Sequence, residues 1–322
     1  MVRRTVLRDR NYALAVLEHG AGRRYHLPMS DGQHAEAPVD RRRRTLIGAL
    51  TALAVPVPAL ARTGRDTLRI GLTPVFLDEQ ISFTNSWRLW LEQKLGRSVR
   101  FVQRGNYREM VDLLLSGKLD CAWLCGYPYV RQRTRLKLVA VPLWQGRPLY
   151  QSYLITARTS TRIQSLADLR GKIFAYSDPD SNSGFLYPQY VLRSQNENPA
   201  SYFSRTFFTW AHRNVVEAVS LGLADGGAVD GYVWEMLART QPALTDGTRI
   251  FDRSPLLGFP PFVARADLPA AELATVREAL TGMATDPVGV KMLGQLGLDG
   301  FTPGNHGLFD GITHMVQRVS RP

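Results

Sequence analysis

"SDPDSNSGFLYP" (residues 177–188) sets two Asp and three Ser ahead of a Gly and then resumes an apolar pattern. The segment before it, "GKIFAY" (171–176), alternates like a buried strand, and "FLYPQYVLRSQ" (185–195) spaces its apolar residues as a helix does. The quoted residues therefore form a strand-to-helix turn made of residue types that favour N-caps. Ser181, Asn182, Ser183 and Gly184 supply the first helical turn, whose backbone N–H groups lack intrahelical partners and sit at the positive end of the dipole. Such an end binds a phosphate-like anion without Arg or Lys. It is also an ordinary cap, and the residues alone leave both readings standing.

Outward from this turn the chain alternates strand and helix. "TLRIGLTP" (67–74), "SVRFVQRG" (98–105) and "CAWLCG" (121–126) read as strands, separated by helical patterns over 84–96 and 107–119. This βαβαβ order predicts a parallel sheet with right-handed crossovers. "LKLVAVPLWQGRPLYQSYLITAR" (136–158) is longer than one strand and reads as a crossing into a second lobe. There a second series follows: the strand 169–176, the helix after Ser183, the strand 203–210, the helix 214–224 and the "GAVDGYVWEML" segment (227–237). "TRIFDRSPLLGFPPFVAR" (248–265) reads as the return crossing, and helices near 270–285 and 286–297 with an amphipathic stretch from Leu308 to Arg318 complete the first lobe. The expected organisation is an α/β protein of two lobes, 62–152 with 248–322 and 153–247, joined by two extended crossings with a cleft between them. Ligands of such sheets sit beyond the carboxyl ends of the strands.

Length and composition agree with this. The 322 residues are 44% hydrophobic and 10% aromatic, which excludes a disordered, collagenous or coiled-coil chain. The net charge is +12, but residues 1–61 hold ten Arg and no Lys against five Asp or Glu. The remainder carries 30 basic and 23 acidic residues, net +7, with no basic stripe interleaved with stacking aromatics. That balance suits an anionic ligand better than nucleic acid. Arg41 to Arg44 followed by "TLIGALTALAVPVPALA" (45–61) has the basic, apolar and small-residue order of an export signal cleaved near Ala61. A start at Met29 gives that signal ordinary bacterial length. Arg43-Arg44 before Thr45-Leu46-Ile47 also fits the twin-arginine pattern, and an ordinary Sec signal rich in Arg fits equally. The expected location is the periplasm.

The cysteines, Cys121 and Cys125, lie in one extended stretch. At about 3.3 Å per residue their Cα atoms stand roughly 13 Å apart, beyond the reach of a disulfide. Two unpaired thiols in an exported protein are uncommon.

The strand-end loops bring hydroxyls, amides, Tyr107, Tyr127, Tyr129, His212, Asp230 and Tyr232 toward the cleft. Among these, "DPDSNSG" (178–184), "HRNVVEAVSLGLADGGAVDGYVWE" (212–235) and "GKLDCAWLCGYPYV" (117–130) together resemble the periplasmic phosphonate-binding (PhnD-type) family, the solute-binding components of ABC transporters for phosphate, phosphite and phosphonate. The similarity runs in order over about residues 66–315. It implies a type II periplasmic binding fold that closes on its solute by a hinge in the crossings. It implies further that Ser181, Asn182 and Ser183 take the oxyanion, that His212 and Asp230 line the cleft, and that the cleft tyrosine is Tyr129 or Tyr127. Asn182 departs from the Thr of the family pattern, and Cys125-Gly126 from its Gly-Pro. Cys125 is either a small buried residue or a thiol facing ligand.

Three function classes stand beside uptake. The chain is also similar to a related branch of arsenite-sensing periplasmic proteins that carry a cleft cysteine, a thiolate being a soft ligand suited to As(III). That resemblance implies the alternative, a sensor of the same fold that binds arsenite through Cys125 and signals to a membrane histidine kinase. A hydrolase using Cys125 or a Ser with His212 and Asp230 lacks any Gly-x-Ser-x-Gly elbow. A metal role finds no His-x-x-x-His or Cys-x-x-Cys pair in the sequence. The expectation is a monomeric solute-binding protein, not an enzyme, with no cofactor, that captures a small oxyanion for an ABC permease. If Asp230 lines the cleft, it favours a protonated or amino-bearing ligand.

Overall fold

The computed structural model describes residues 67–73 and 81–320. The leader and expected signal (1–61) lie outside the described residues, as does most of the loop after the first strand. The chain opens with β1 (Thr67–Leu72), α1 (Ile81–Leu95), β2 (Ser98–Gln103), α2 (Tyr107–Leu115), β3 (Cys121–Trp123), α3 (Gly126–Gln132) and β4 (Leu136–Leu143). After a tight turn closed by Trp144 and Arg147 come β5 (Leu149–Tyr150) and β6 (Ser152–Ala157). The second series is β7 (Ile173–Tyr176), α4 (Tyr187–Ser194), α5 (Pro199–Tyr202), β8 (Arg205–Phe208), α6 (His212–Ser220), β9 (Gly226–Asp230), α7 (Gly231–Thr240), α8 (Pro242–Thr245) and β10 (Thr248–Arg253). Then β11 (Leu257–Gly258), β12 (Phe262–Arg265), α9 (Ala270–Thr281), α10 (Pro287–Leu296), β13 (Gly300–Thr302) and α11 (Asp310–Val319) finish the fold.

Two sheets organise these elements. The six-stranded sheet has the order β13-β4-β12-β3-β1-β2, and the five-stranded sheet β10-β6-β9-β7-β8. In each, a parallel trio (β2-β1-β3 and β8-β7-β9) is bordered by an antiparallel strand, β12 or β6, that directly follows a crossing between the lobes. The parallel strands β1, β3, β7 and β9 are buried nearly throughout, as strands covered on both faces must be. Lobe 1 packs Trp87 edge-on against Trp123 (centroids 6.2 Å apart) and Trp123 against Phe301 (6.1 Å). The carboxylate of Asp120 ties β1 to β12, accepting from the Arg69 amide (2.9 Å), the Arg69 guanidinium (3.0 and 3.1 Å) and Arg265 (3.3 Å).

The long runs resolve differently from the sequence reading. Residues 136–158 break into β4, β5 and β6, because Gln145 and Gly146 take left-handed backbone (φ 52° and 72°) that reverses the chain. The run 248–265 likewise divides, and β10 pairs antiparallel with β6 (Thr248↔Ala157) inside the second sheet instead of serving as a crossing. The expected boundary at 248 therefore moves: the five-stranded sheet extends from Ser152 to Arg253. The crossings proper are short, and they pair with each other through β5 and β11 (Tyr150↔Leu257). Strand β3 covers only Cys121–Trp123, so the period-two argument does not reach Cys125, which caps α3. Both thiols are nevertheless free and buried.

Candidate functional site

The turn after β7 builds the site. Asp178 folds it first: its Oδ1 accepts the amide of Asp180 (2.7 Å), an Asx-type turn. Ser181 has extended backbone and its Oγ accepts the amide of Gly184 (2.9 Å). The chain then winds one π turn, Asn182–Leu186, with the Leu186 amide bonded to the Ser181 carbonyl (2.9 Å), before α4 begins. The sequence reading expected an ordinary α-helical first turn. The wider π turn is a feature found often at functional sites. Gly184 is required there, since a Cβ would stand 1.9 Å from Ser177 Oγ and 3.1 Å from His212 Cε1. That closeness places Ser177 and His212 directly against the turn.

Residues from lobe 1 and from the crossing converge on the same point. The Tyr107 amide, at the start of α2, donates to Asp178 Oδ2 (3.1 Å). The Asn182 amide donates to Cys125 Sγ (3.2 Å), and Asn182 Nδ2 donates to the Tyr150 hydroxyl (2.8 Å). The Ser152 hydroxyl donates to the Ser183 carbonyl (2.7 Å). Arg108 and Arg131 of lobe 1 pair with Asp180 at the rim (3.5 and 3.3 Å). The lobes are closed on each other across the turn, and Ser181, Asn182 and Ser183 are at most 1% exposed.

Electrostatics give each group a defined state. His212 accepts the Asp230 amide at Nδ1 (3.0 Å), so the proton of the neutral ring resides on Nε2, 3.5 Å from the Tyr107 hydroxyl. Burial pulls its pKa down to about 3, and the imidazole is a neutral donor. Asp230 caps α7, its Oδ1 accepting from Tyr232 (2.9 Å) and Val233 (3.3 Å). Burial lifts its pKa to about 7 against those two bonds. Burial likewise raises Asp178, and pushes the Cys125 thiol up to about 12 against the pull of the Asn182 and Tyr127 amides. Among the described residues, four buried side-chain N or O atoms have no hydrogen-bond partner: Ser177 Oγ, Asn182 Oδ1, Ser183 Oγ and Trp87 Nε1. Three of the four belong to this turn. Buried polar atoms normally find partners, and their concentration sets this turn apart from the rest of the described interior.

Of the residues singled out from sequence, Ser181, Asn182, Ser183, His212, Asp230, Cys125 and Tyr107 are brought together. Tyr129 and Tyr127 are not. The Tyr129 hydroxyl bonds His306 Nδ1 (2.6 Å) and its ring packs on Phe309, while Tyr127 is half-buried under the Arg131 guanidinium. The tyrosine whose hydroxyl meets the turn is Tyr150, which the sequence reading left inside a crossing. Ser177, Asp178 and Ser152 were passed over too. Ser177 and Asp178 lay within the quoted stretch, and their position at the end of a strand was the available signal.

Two α/β lobes of this strand order, closed over a polar site at their strand ends and joined by paired crossings, define a type II periplasmic binding protein. The chain belongs to the family of periplasmic substrate-binding proteins of phosphonate ABC transporters, whose family model matches residues 70–307. It is 32% identical over 149 residues (42% of this chain) to the phosphate-import protein PhnD of Mycolicibacterium smegmatis, and 28% identical over 221 residues (66% of this chain) to the phosphonates-binding periplasmic protein of Escherichia coli. These matches span 46% and 64% of the relatives' own lengths. Among solved structures it resembles a binding component of an ABC phosphonate transporter from Pseudomonas aeruginosa (TM-score 0.71, 22% identity, 80% of this chain and 87% of that one). It also resembles PhnD1 of Prochlorococcus marinus in complex with methylphosphonate (TM-score 0.71, 19% identity, 80% and 99%). At these identities the structures speak for the fold.

Proposed function

We propose that this protein captures a small phosphorus oxyanion (phosphonate, phosphite or phosphate) between its lobes and delivers it, as a monomer, to the permease of an ABC transporter. The observation that carries this reading is the turn 181–184, where the buried Ser177 and Ser183 hydroxyls lack hydrogen-bond partners and can donate to an anion, beside an Asn182 Oδ1 that can accept from a protonated one. The neutral His212 Nε2–H adds a donor, and no positive charge is needed. The same residues work as a passive cradle: His212 gives Nδ1 to a backbone amide, not to a carboxylate that would orient it as a base. We therefore read the protein as non-catalytic. The basic and apolar order of residues 41–61 supports export to the periplasm with cleavage near Ala61, and no helix among the described residues is long and apolar enough to cross a membrane. The family match favours uptake over the arsenite-sensing alternative.

A thermal-shift panel on protein stripped by partial unfolding and refolding tests this reading. Phosphate, phosphite, methylphosphonate or aminoethylphosphonate at 100 times its dissociation constant adds about 2.7 kcal/mol and raises the midpoint by a few degrees. Sulfate and arsenite are the controls. A midpoint moved by arsenite alone, and unmoved in Cys125→Ser, points to the sensor instead.

A further inference from the structure

Cys125 belongs to lobe 1, yet its thiol reaches across the lobe boundary to the first amide of the π turn, Asn182 N (3.2 Å). It is 4% exposed and sits where an oxygen of a bound anion would otherwise take that N–H. The remaining surface of the cradle is hard: the hydroxyls of Ser177 and of Ser183, the latter beside the Tyr150 hydroxyl, with His212 Nε2–H and one acceptor, Asn182 Oδ1. The Tyr150 hydroxyl joins them, its oxygen accepting from Asn182 Nδ2 (2.8 Å). Burial keeps the thiol protonated. A neutral S–H is a weak donor and its sulfur a weak acceptor, while sulfur makes favourable contacts with apolar groups.

We propose that Cys125 is a specificity-determining residue: its thiol receives the non-oxygen substituent of a tetrahedral phosphorus ligand, so the closed cleft prefers alkylphosphonate and phosphite to phosphate. The inference rests on the oxyanion reading above and adds the orientation of the ligand. Three oxygens meet the hydroxyls and His212, and the methyl group or P–H hydrogen meets sulfur. Phosphate and sulfate in the same pose turn a fourth oxygen onto the thiol, where a buried polar atom loses its hydrogen bond. That loss weakens binding about tenfold or more.

Titration calorimetry on the stripped protein at fixed pH, with methylphosphonate, phosphite, phosphate and sulfate, tests the proposal in the parent, Cys125→Ser and Cys125→Ala. The parent is expected to bind methylphosphonate and phosphite about tenfold or more tightly than phosphate. Serine offers the fourth oxygen a strong donor, so Cys125→Ser should tighten phosphate and narrow that ratio about tenfold. Cys125→Ala removes the sulfur and leaves the Asn182 N–H free for that oxygen, so it too should narrow the ratio. A narrowing in both variants with methylphosphonate affinity kept separates loss of the thiol from general damage to the fold. A parent that binds phosphate as tightly as methylphosphonate overturns the inference, as does a serine variant that shifts all ligands equally. A parent that binds none of the phosphorus anions overturns the oxyanion reading itself.

Discussion

Gly184 shows how tightly single residues define this site. A methyl group there stands 1.9 Å from Ser177 Oγ, so Gly184→Ala must push the π turn off β7. We expect a loss of about 1–3 kcal/mol in urea unfolding and much weaker ligand binding, because the displaced amides no longer converge. Asp230 and His212 make opposite contributions to the pH dependence. Asp230 titrates near 7 in the folded protein and near 3.9 unfolded. Between those values the folded state holds a proton that the unfolded chain releases, and stability falls as pH rises. His212 titrates near 3 folded and near 6.5 unfolded, so it lowers stability as pH falls below about 6.5. Asp230→Asn should remove the first limb and keep the second, visible as a parent-to-variant difference in Tm that grows from pH 4 to 7. An unchanged difference across that window would count against a buried, proton-binding Asp230.

Among the elements, the β7-to-α4 turn was legible because its signals are local: a strand that ends, Ser and Asp types that cap, and a glycine. The π winding was not, since it is set by the fit of Gly184 against Ser177 and His212, residues 7 and 28 positions away in the chain. Tyr150 escaped for a related reason. Its hydroxyl meets Asn182 only because β5 pairs with β11 and passes beneath the turn, a relation that no local pattern carries. Strand β10 was misplaced because an apolar extended run looks alike in a sheet and in a crossing. Two substitutions test element-scale energetics. Ser181→Ala removes the acceptor of the Gly184 amide and should cost about 1 kcal/mol. Asp120→Asn breaks the junction of β1 with β12. Burial raises that carboxyl but Arg69 outweighs it and holds it low. With Arg69 partly solvated, we expect about 2–3 kcal/mol lost at neutral pH, and for the parent a matching loss of stability on acidification below about pH 4, both read by denaturant unfolding.

At the scale of the whole molecule, closure is held by contacts that use no ligand: Tyr107 N–H to Asp178, Asn182 N–H to Cys125, and Asp180 between Arg108 and Arg131. The two arginines are 71% and 50% exposed in their side chains, so these pairs are screened by salt. Asp180→Asn should therefore weaken solute binding a few-fold at low salt and hardly at all in about 0.5 M salt, and small-angle scattering should show a larger radius for the unliganded variant. Binding equally weakened at both salt concentrations would assign Asp180 to the cradle instead. A last property follows from the strand order. Strand β12, residues 262–265, lies between β3 and β4 in the six-stranded sheet, whereas the five-stranded sheet is drawn from one uninterrupted length of chain. A polypeptide delivered N-terminus first completes the second lobe while the first still has an open slot at the middle of its sheet. The lobe whose strands come first among the described residues is the last whose sheet can be completed.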